Sequence, residues 1–435
     1  MSNGIDISIL CAILPLNNEQ NSTLHTGDSM LSDLFAVHKR VVANIPTDFS
    51  RYLFTKINWD NRLIGIVGAR GTGKTTLVLQ YYKQRFNSVE KCLYLSADNP
   101  LVLKNGLYET IDDYFKYYGE CVIIDEVHKH PEWSAAVKAL YDSYPDKQFI
   151  ILGSSMLNIL HERGDLSRRM LIYKLKGLSF REYLNVKYQQ NWDAYDFDTL
   201  QQEHLQLSQK LTDVHQTILR DFETYCATGY YPFFLSCRPS EYLQLLASVI
   251  EKVVYEDIPS IRPLQTLSSL KLKKLLAYLS MSTIPTLSTS SLTNEIDVSR
   301  DTLYEFFDLL QRAELADVVA MANKNVRSFI KSKILLNNPN LYYAISSGLW
   351  SSTVDRGNLR ESFFCSQVSH IYRLHTSENV DFLLASENHS YEIEIGGRNK
   401  NRRQLANLKN GLLFKDGMEH GAGPQIPLYI AGFLY

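Results

Sequence analysis

Eight consecutive residues, Gly68-Ala69-Arg70-Gly71-Thr72-Gly73-Lys74-Thr75, have the types and spacing of a phosphate-binding loop of the Walker A kind, GxxxxGK followed by Ser or Thr. Glycines let the backbone turn tightly enough for successive N–H groups to face an anion, and a helix beginning at Lys74 adds the positive end of its dipole. In such a loop Lys74 reaches the β- and γ-phosphates and the Thr75 hydroxyl ligates Mg²⁺. Gly68, Arg70, Gly71, Thr72, Gly73, Lys74, Thr75 and Thr76 are therefore the candidate nucleotide-binding residues. Further on, Val122-Ile123-Ile124-Asp125-Glu126 ends an apolar run in two acids, as a Walker B strand does. There Asp125 is placed to hold Mg²⁺ through its water shell, with Thr75 as the other metal residue, and Glu126 to polarise a water for attack on the γ-phosphate.

Three further groups are candidates for the same chemistry. Gln148 to Leu152 runs into Gly153-Ser154-Ser155, so Ser154 or Ser155 is placed to hydrogen-bond the attacking water or γ-phosphate; an ordinary strand-to-helix turn explains the same residues. Arg168 and Arg169 precede another apolar run, and one of them, Arg169 first, is a candidate to stabilise transition-state charge in cis or across a subunit contact. Exposed arginines are more often simply solvated. Asp98 ends a strand, where a loop cap is at least as good a reading as catalysis.

The elements that must position these groups follow from periodicity. Short β-branched or aliphatic runs, Leu63–Val67, Cys92–Leu95, Cys121–Ile124, Gln148–Leu152 and Leu171–Leu175, are separated by helical stretches at Lys74–Phe86, Leu107–Tyr118 and Pro131–Tyr144. That alternation predicts βαβ units around a buried parallel sheet, whose strand carboxyl ends carry both motifs. After Pro232 the spacing through Tyr242, Leu245, Ile250 and Val254 is helical. Between Ser288 and Val319 a helix over Ser291–Ile296, a break at Asp297-Val298 and Ser299 as N-cap of a helix to Ala313 form a helix-turn-helix pattern, with a winged helix as its continuation. The last unit alternates a helix over Leu359–Ile371 with strands over Val380–Leu384, Tyr391–Ile395 and Leu428–Leu434. The expected divisions are a loose N-terminal arm (1–34), an ATPase core (35–185), a helical lid (186–262), a winged-helix-like domain (263–335) and a C-terminal α/β domain (336–435).

Composition agrees with several folded cores. The chain has 435 residues, and at about 150 residues per domain that is roughly three units. With 45% hydrophobic and 21% charged residues it is not a disordered scaffold. A formal charge of −2 gives no net field for nucleic acid or anionic lipid. The six cysteines show no CxxC pair and no zinc-finger spacing, which fits a reduced interior. No apolar run is long enough to cross a membrane. Ile7–Leu16 lacks a preceding Lys or Arg and a small-residue cleavage site, so a secretion signal is not expected and a cytoplasmic location is.

With Asp125-Glu126-Val127-His128-Lys129, Pro131, Trp133 and Leu178-Ser179-Phe180-Arg181-Glu182-Tyr183 added to the phosphate loop, the chain resembles the prokaryotic AAA-type ATPases described only as ATP-binding proteins. The resemblance continues through Lys252–Pro259, Asn337–Leu341, Arg360–Phe364 and Glu394–Gly397, which are similar to a C-terminal domain of unknown function, and so covers most of the chain after Phe35. It implies a P-loop ATPase core that binds and hydrolyses Mg-ATP, a winged helix and a C-terminal domain similar to restriction-endonuclease folds. It implies no known substrate. Ser167-Arg168-Arg169 departs from the Gly-Arg expected there, which leaves open which arginine inherits the role.

A nuclease of that fold needs an acid on one strand and acid-x-Lys on the next. Asp381 with Glu392 or Glu394 supplies the acids, but the expected lysine is missing, and only Lys400 in the next loop could replace it, so an inactive domain is expected. Binding fits better than cutting. Arg398, Lys400, Arg402, Arg403, Lys409 and Lys415 form one basic stretch, and Lys324, Arg327, Lys331 and Lys333 another where a wing belongs. Against DNA, the second helix of the pair carries Asp301, Glu305 and Asp308 beside only Arg300 and Arg312. The alternatives to an ATPase are thus a nucleotide-gated DNA- or protein-binding switch with slow hydrolysis and, less favoured, a Mg²⁺-dependent nuclease; a homo-oligomer stays open.

Overall fold

The computed structural model describes residues 26–153, 166–262, 266–281, 289–322, 332–348, 354–387, 389–400, 408 and 410–435. The first described element is helix α1 (Thr26–Ala43), so residues 26–34 are not part of a loose arm. Leu31 and Leu34 are buried there, and at roughly 1.5–3 kcal/mol for each buried aliphatic side chain they hold the helix against the sheet. The polar look of the segment before Met30 hid this, because the apolar face begins only in the helix's second turn.

The core is a five-stranded sheet in the order β2-β3-β4-β1-β5. Its strands are β1 (Leu63–Val67), β2 (Cys92–Ser96), β3 (Cys121–Asp125), β4 (Gln148–Gly153) and β5 (Leu171–Lys174), each within a residue of its expected place. All pairings are parallel: Leu63 faces Phe149, Ile64 faces Leu171, Cys92 faces Cys121 and Cys121 faces Gln148. β1 and β3 are buried along their whole length, which is why they read as unbroken apolar runs. The crossovers are α2 (Lys74–Arg85), α3 (Pro100–Asn105), α4 (Leu107–Tyr117) and α5 (Trp133–Ser143). One hydrophobic cluster lies on each face of this sheet, and a third joins the remaining helices to the C-terminal sheet.

Beyond β5, helix Phe180–Tyr188 starts from a capping box in which Ser179 and Glu182 each satisfy the other's backbone. Helices Phe197–Val214, Ile218–Thr228 and Pro239–Lys252 follow, and a π-helical turn, Val253–Asp257, prolongs the last of them. In Pro239–Lys252 the buried face is Tyr242, Leu246 and Ile250; Leu245, expected inside, is 49% exposed. Helices Thr266–Met281, Thr289–Ile296 and Arg300–Arg312 then lead into an antiparallel pair, β6 (Ala316–Val319) and β7 (Lys333–Leu336). Ser299 caps the third helix by accepting from the Thr302 N–H.

Helices Pro339–Gly348 and Arg356–Val368 precede a second sheet in the order β12-β11-β10-β9-β8. Its strands are β8 (Arg373–His375), β9 (Phe382–Ala385), β10 (Ser390–Gly396), β11 (Gly411–Lys415) and β12 (Gln425–Pro427). β8, β9 and β10 pair antiparallel, whereas β10, β11 and β12 pair parallel. Leu428–Phe433, expected as a strand, is a 3₁₀ helix. It is buried on every side, so its sequence carries no period that separates strand from helix. It packs under Phe180, where a Cβ on Gly432 would stand 2.4 Å from the Phe180 Cβ.

Candidate functional site

After Val67 the chain must turn back over the carboxyl edge of the sheet into α2. Only glycine fits the first step, since a Cβ at position 68 would stand 2.2 Å from the Leu175 carbonyl oxygen. Gly73, immediately before α2, has φ +90°, a left-handed conformation that costs glycine no strain. Between them Thr72 is fully buried and donates from Oγ1 to the Ala69 carbonyl at 2.9 Å, tying the loop to itself. The Lys74 ammonium donates to the carbonyls of Gly68 and Ala69 at 2.7 and 2.9 Å. Burial pushes the Lys74 pKa down, while Asp125 and Glu126 pull it back up.

Thr75 and Asp125 meet: Thr75 Oγ1 donates to Asp125 Oδ2 at 2.6 Å. Tyr94 on β2 donates to the same oxygen at 3.1 Å, and the Glu126 N–H donates to Oδ1 at 2.8 Å, so the carboxylate is fixed from three directions. Glu126 follows with φ +48°, a left-handed conformation costing of order 1 kcal/mol for a non-glycine residue. This turns its carboxylate out of the strand line, to 3.7 Å from Arg70 Nη1 and 3.4 Å from His128 Nε2. Burial raises the Glu126 carboxyl above the ordinary range, and Arg70 opposes that rise. Burial also drives His128 down to about 4, so a neutral ring faces Glu126 at pH 7.

Arg70, Lys74, Thr75, Asp125 and Glu126 line a cavity of about 640 Å³, within the roughly 300–1,000 Å³ of small-molecule sites. Its lining combines polar groups of the loop and the acids, Arg70, Lys74, Thr75, Thr76, Asp125 and Glu126, with apolar side chains such as Phe49, Leu178, Pro232, Phe233 and Leu235. The paired Thr75 hydroxyl and Asp125 carboxylate are hard oxygen donors of the kind Mg²⁺ takes.

Sequence reasoning overlooked three contributors. Arg51 is 6% exposed; it donates to the Thr72 carbonyl at 2.6 Å, to those of Lys176 and Gly177 at 2.8 Å each, and to both Glu182 oxygens at 3.1 Å. It thereby ties the phosphate loop to the exit of β5 and to helix Phe180–Tyr188, yet no motif surrounds it in the sequence. Phe233 crowds Gly71, where a Cβ would meet its ring at 3.0 Å; the run Tyr230-Tyr231-Pro232-Phe233-Phe234 was the available signal. Asp257 takes Arg70 in a two-point ion pair at 2.8 and 3.0 Å, and lies in the Lys252–Pro259 segment to which no role was given.

Other expected groups fare differently. Ser154 and Ser155 lie outside the described residues, as do Lys324, Arg327, Lys331, Arg402, Arg403 and Lys409. Arg169 does not line the cavity: it sits 3.2 Å from Asp142 on α5, with the Tyr141 ring alongside. Arg168 is likewise absent from the cavity wall. Asp98 accepts from Ser96 Oγ, a loop cap. Asp381 and Glu394 do converge, with Lys400 2.5 Å from Glu394 and 3.6 Å from Asp381. Two unexpected members join them, since Lys333 is 2.8 Å from Glu361 and 3.2 Å from Asp381. Lys333 is therefore a buried ion-pair partner, not a surface cation of a wing. Burial alone would lift Asp381, but Lys333, the Ile395 amide and Lys400 hold it below the ordinary range. Among the described residues no group of three His, Cys, Asp or Glu side chains is placed to hold a metal ion, and no helix is long and apolar enough to cross a membrane.

Comparison with known proteins matches residues 60–184 to a family described as an AAA domain and residues 219–351 to a domain of unknown function (DUF8612). The chain is 27% identical over 343 residues, 72% of its own length and 72% of the relative's, to the uncharacterized protein MJ1637 of Methanocaldococcus jannaschii. Among solved structures it is loosely similar to the Aeropyrum pernix Orc1 protein in complex with DNA, with TM-score 0.29 and 14% identity over 76% of this chain and 94% of that one. A second loose likeness is to AMPPCP-bound DnaA from Aquifex aeolicus, with TM-score 0.26 and 15% identity over 64% and 88%. From the matched family, together with the parallel sheet, its glycine-rich loop and the acids at the neighbouring strand end, residues 60–184 are an AAA domain with a phosphate-binding loop, followed at residues 219–351 by a domain of unknown function.

Proposed function

We propose that the protein is a cytoplasmic ATPase that binds Mg-ATP in the 640 Å³ cavity, hydrolyses it and passes its nucleotide state to the C-terminal units. The observation that carries this reading is the 2.6 Å contact between Thr75 and Asp125 beside the buried Lys74 ammonium. Lys74 exchanges its internal partners, the carbonyls of Gly68 and Ala69, for the β- and γ-phosphates, which the loop amides cradle. Thr75 and Asp125 hold Mg²⁺, which when bound neutralises charge on those phosphates. Glu126, kept off the strand line by its left-handed backbone, orients and deprotonates the attacking water. Phe49, Pro232 and Phe233 supply apolar surface for the adenine. Ser154 is the proposed contact to the γ-phosphate. Arg169, paired with Asp142 at 3.2 Å, is the proposed contact to transition-state charge, in its own site or across a contact with a neighbouring copy.

The helices Thr266–Met281, Thr289–Ile296 and Arg300–Arg312 with the β6–β7 pair support reading residues 263–335 as a winged-helix-like unit, and the mixed C-terminal sheet behind helix Arg356–Val368 supports a nuclease-like fold for 336–435. The basic surface proposed for DNA is reduced, because Lys333 and Lys400 are spent on Glu361, Asp381 and Glu394. The same lysines occupy the carboxylates that a nuclease would offer to a metal, which favours an inactive domain. Phosphate release from Mg-ATP, with and without DNA, tests the reading. Turnover in the wild type that is lost in Glu126→Gln supports it, and equal turnover in both excludes it. Stimulation by DNA would favour the nucleotide-gated switch.

A further inference from the structure

The guanidinium of Arg70, third residue of the phosphate loop, faces two acids at once. Nε and Nη2 donate to Asp257 Oδ2 and Oδ1 at 2.8 and 3.0 Å, and Nη1 stands 3.7 Å from Glu126 Oε1. Asp257 closes the π-helical turn Val253–Asp257, outside the AAA domain and within the unit matched at 219–351. It is 3% exposed, so its charge is satisfied only while a cation stays against it. Arg70, 16% exposed, also lines the cavity beside Lys74 and Glu126. A terminal phosphate entering there offers the same fork a second bidentate acceptor.

We infer that Arg70 is shared: Asp257 holds it when no γ-phosphate is present, and the γ-phosphate draws it away when ATP binds, releasing the π-helical turn. This rests on the cavity being the ATP site. ADP lacks the competing group, so it leaves the Asp257 pair intact. Arg70 then contacts substrate beside Glu126, and Asp257 is a positioning residue that links the loop to the 219–351 unit. Linkage makes the effect reciprocal: whatever loosens Asp257 tightens ATP and not ADP.

The test uses the full chain and two probes, Mg-ATPγS and Mg-ADP, titrated into wild type, Asp257→Asn, Arg70→Ala and the double variant, each with its fold checked by circular dichroism. Asp257→Asn is expected to bind ATPγS about tenfold tighter, in the usual range of coupling between sites, with ADP affinity unchanged. The double variant is expected to match Arg70→Ala, the gain having vanished with its arginine. Equal shifts for both nucleotides, no shift, or a gain that survives in the double variant would overturn the inference. Hydrogen exchange on the wild type needs no substitution: amides 253–258 are expected to exchange faster with ATPγS than with ADP, and equal rates would overturn it too. If the wild type binds neither nucleotide, the ATP reading itself fails; if it binds both without these differences, only the shared arginine does.

Discussion

Replacing Arg51 with methionine removes a side chain that bonds the phosphate loop, the β5 exit and helix Phe180–Tyr188 together. Glu182, fully buried, would keep only the amides of Tyr52 and Ser179, at 2.6 and 3.3 Å. The carbonyls of Thr72, Lys176 and Gly177 would each lose a donor. Removing one member of a buried ion pair costs roughly 3–5 kcal/mol, because the survivor's charge stays desolvated. Methionine refills much of the volume, so the cavity contribution is small, and the electrostatic loss dominates. Against a typical domain stability of about 5–15 kcal/mol that is a large fraction. Urea unfolding followed by tryptophan fluorescence is suited to it, since Trp59 is stacked on Tyr81 and Trp133 is fully buried, both in this part of the chain. A chain of several units need not unfold in one step, so the quantity to compare is the transition that these tryptophans report. Arg51→Met is expected to lower it by about 4 kcal/mol, and adding Glu182→Gln to recover about 2 kcal/mol, because the stranded charge is then gone. A loss below about 1 kcal/mol, or strictly additive single effects, would refute the reasoning.

Two other outcomes follow from the site geometry. Gly68→Ala drives a methyl into the Leu175 carbonyl, so a loss of roughly 2 kcal/mol in stability and weaker nucleotide binding are expected from melting and titration; an unchanged melting curve would show that the loop has room. Glu126→Gln is expected to cut turnover by about 10²–10⁴ while leaving nucleotide binding intact. Because burial raises the Glu126 carboxyl, the rate should fall on acidification at a pH above the ordinary carboxylate range, where the base takes up its proton. Arg70 opposes that rise, so Arg70→Ala should move the acid limb of the rate profile further up; a downward move would contradict the assigned pairing.

What could be read before folding and what could not divides along physical lines. β1 and β3 are buried on both faces and short, so their apolar runs and the motifs at their ends are local in sequence, and Lys74, Thr75, Asp125 and Glu126 come together as their spacing implies. Arg51 works through partners 21, 125, 126 and 131 residues away, and a lone arginine with distant partners has no local signature. Asp257 is the same case, 187 residues from Arg70. The pairing of Arg169 with Asp142 on α5 is likewise a contact between residues far apart in sequence, with no local signature. Leu428–Phe433 reads as a strand because burial on all sides erases periodicity, and a loose arm reads through residue 34 because the stretch at the start of α1 is polar in sequence.

The most direct measurement is calorimetric titration of Mg-ATP into the folded wild-type chain and into Lys74→Ala. A saturable one-site heat in the wild type, absent in Lys74→Ala, is the expected result. No heat in the wild type, or the same isotherm in both proteins, would contradict the assignment of the loop, Thr75 and Asp125 to a nucleotide and its metal.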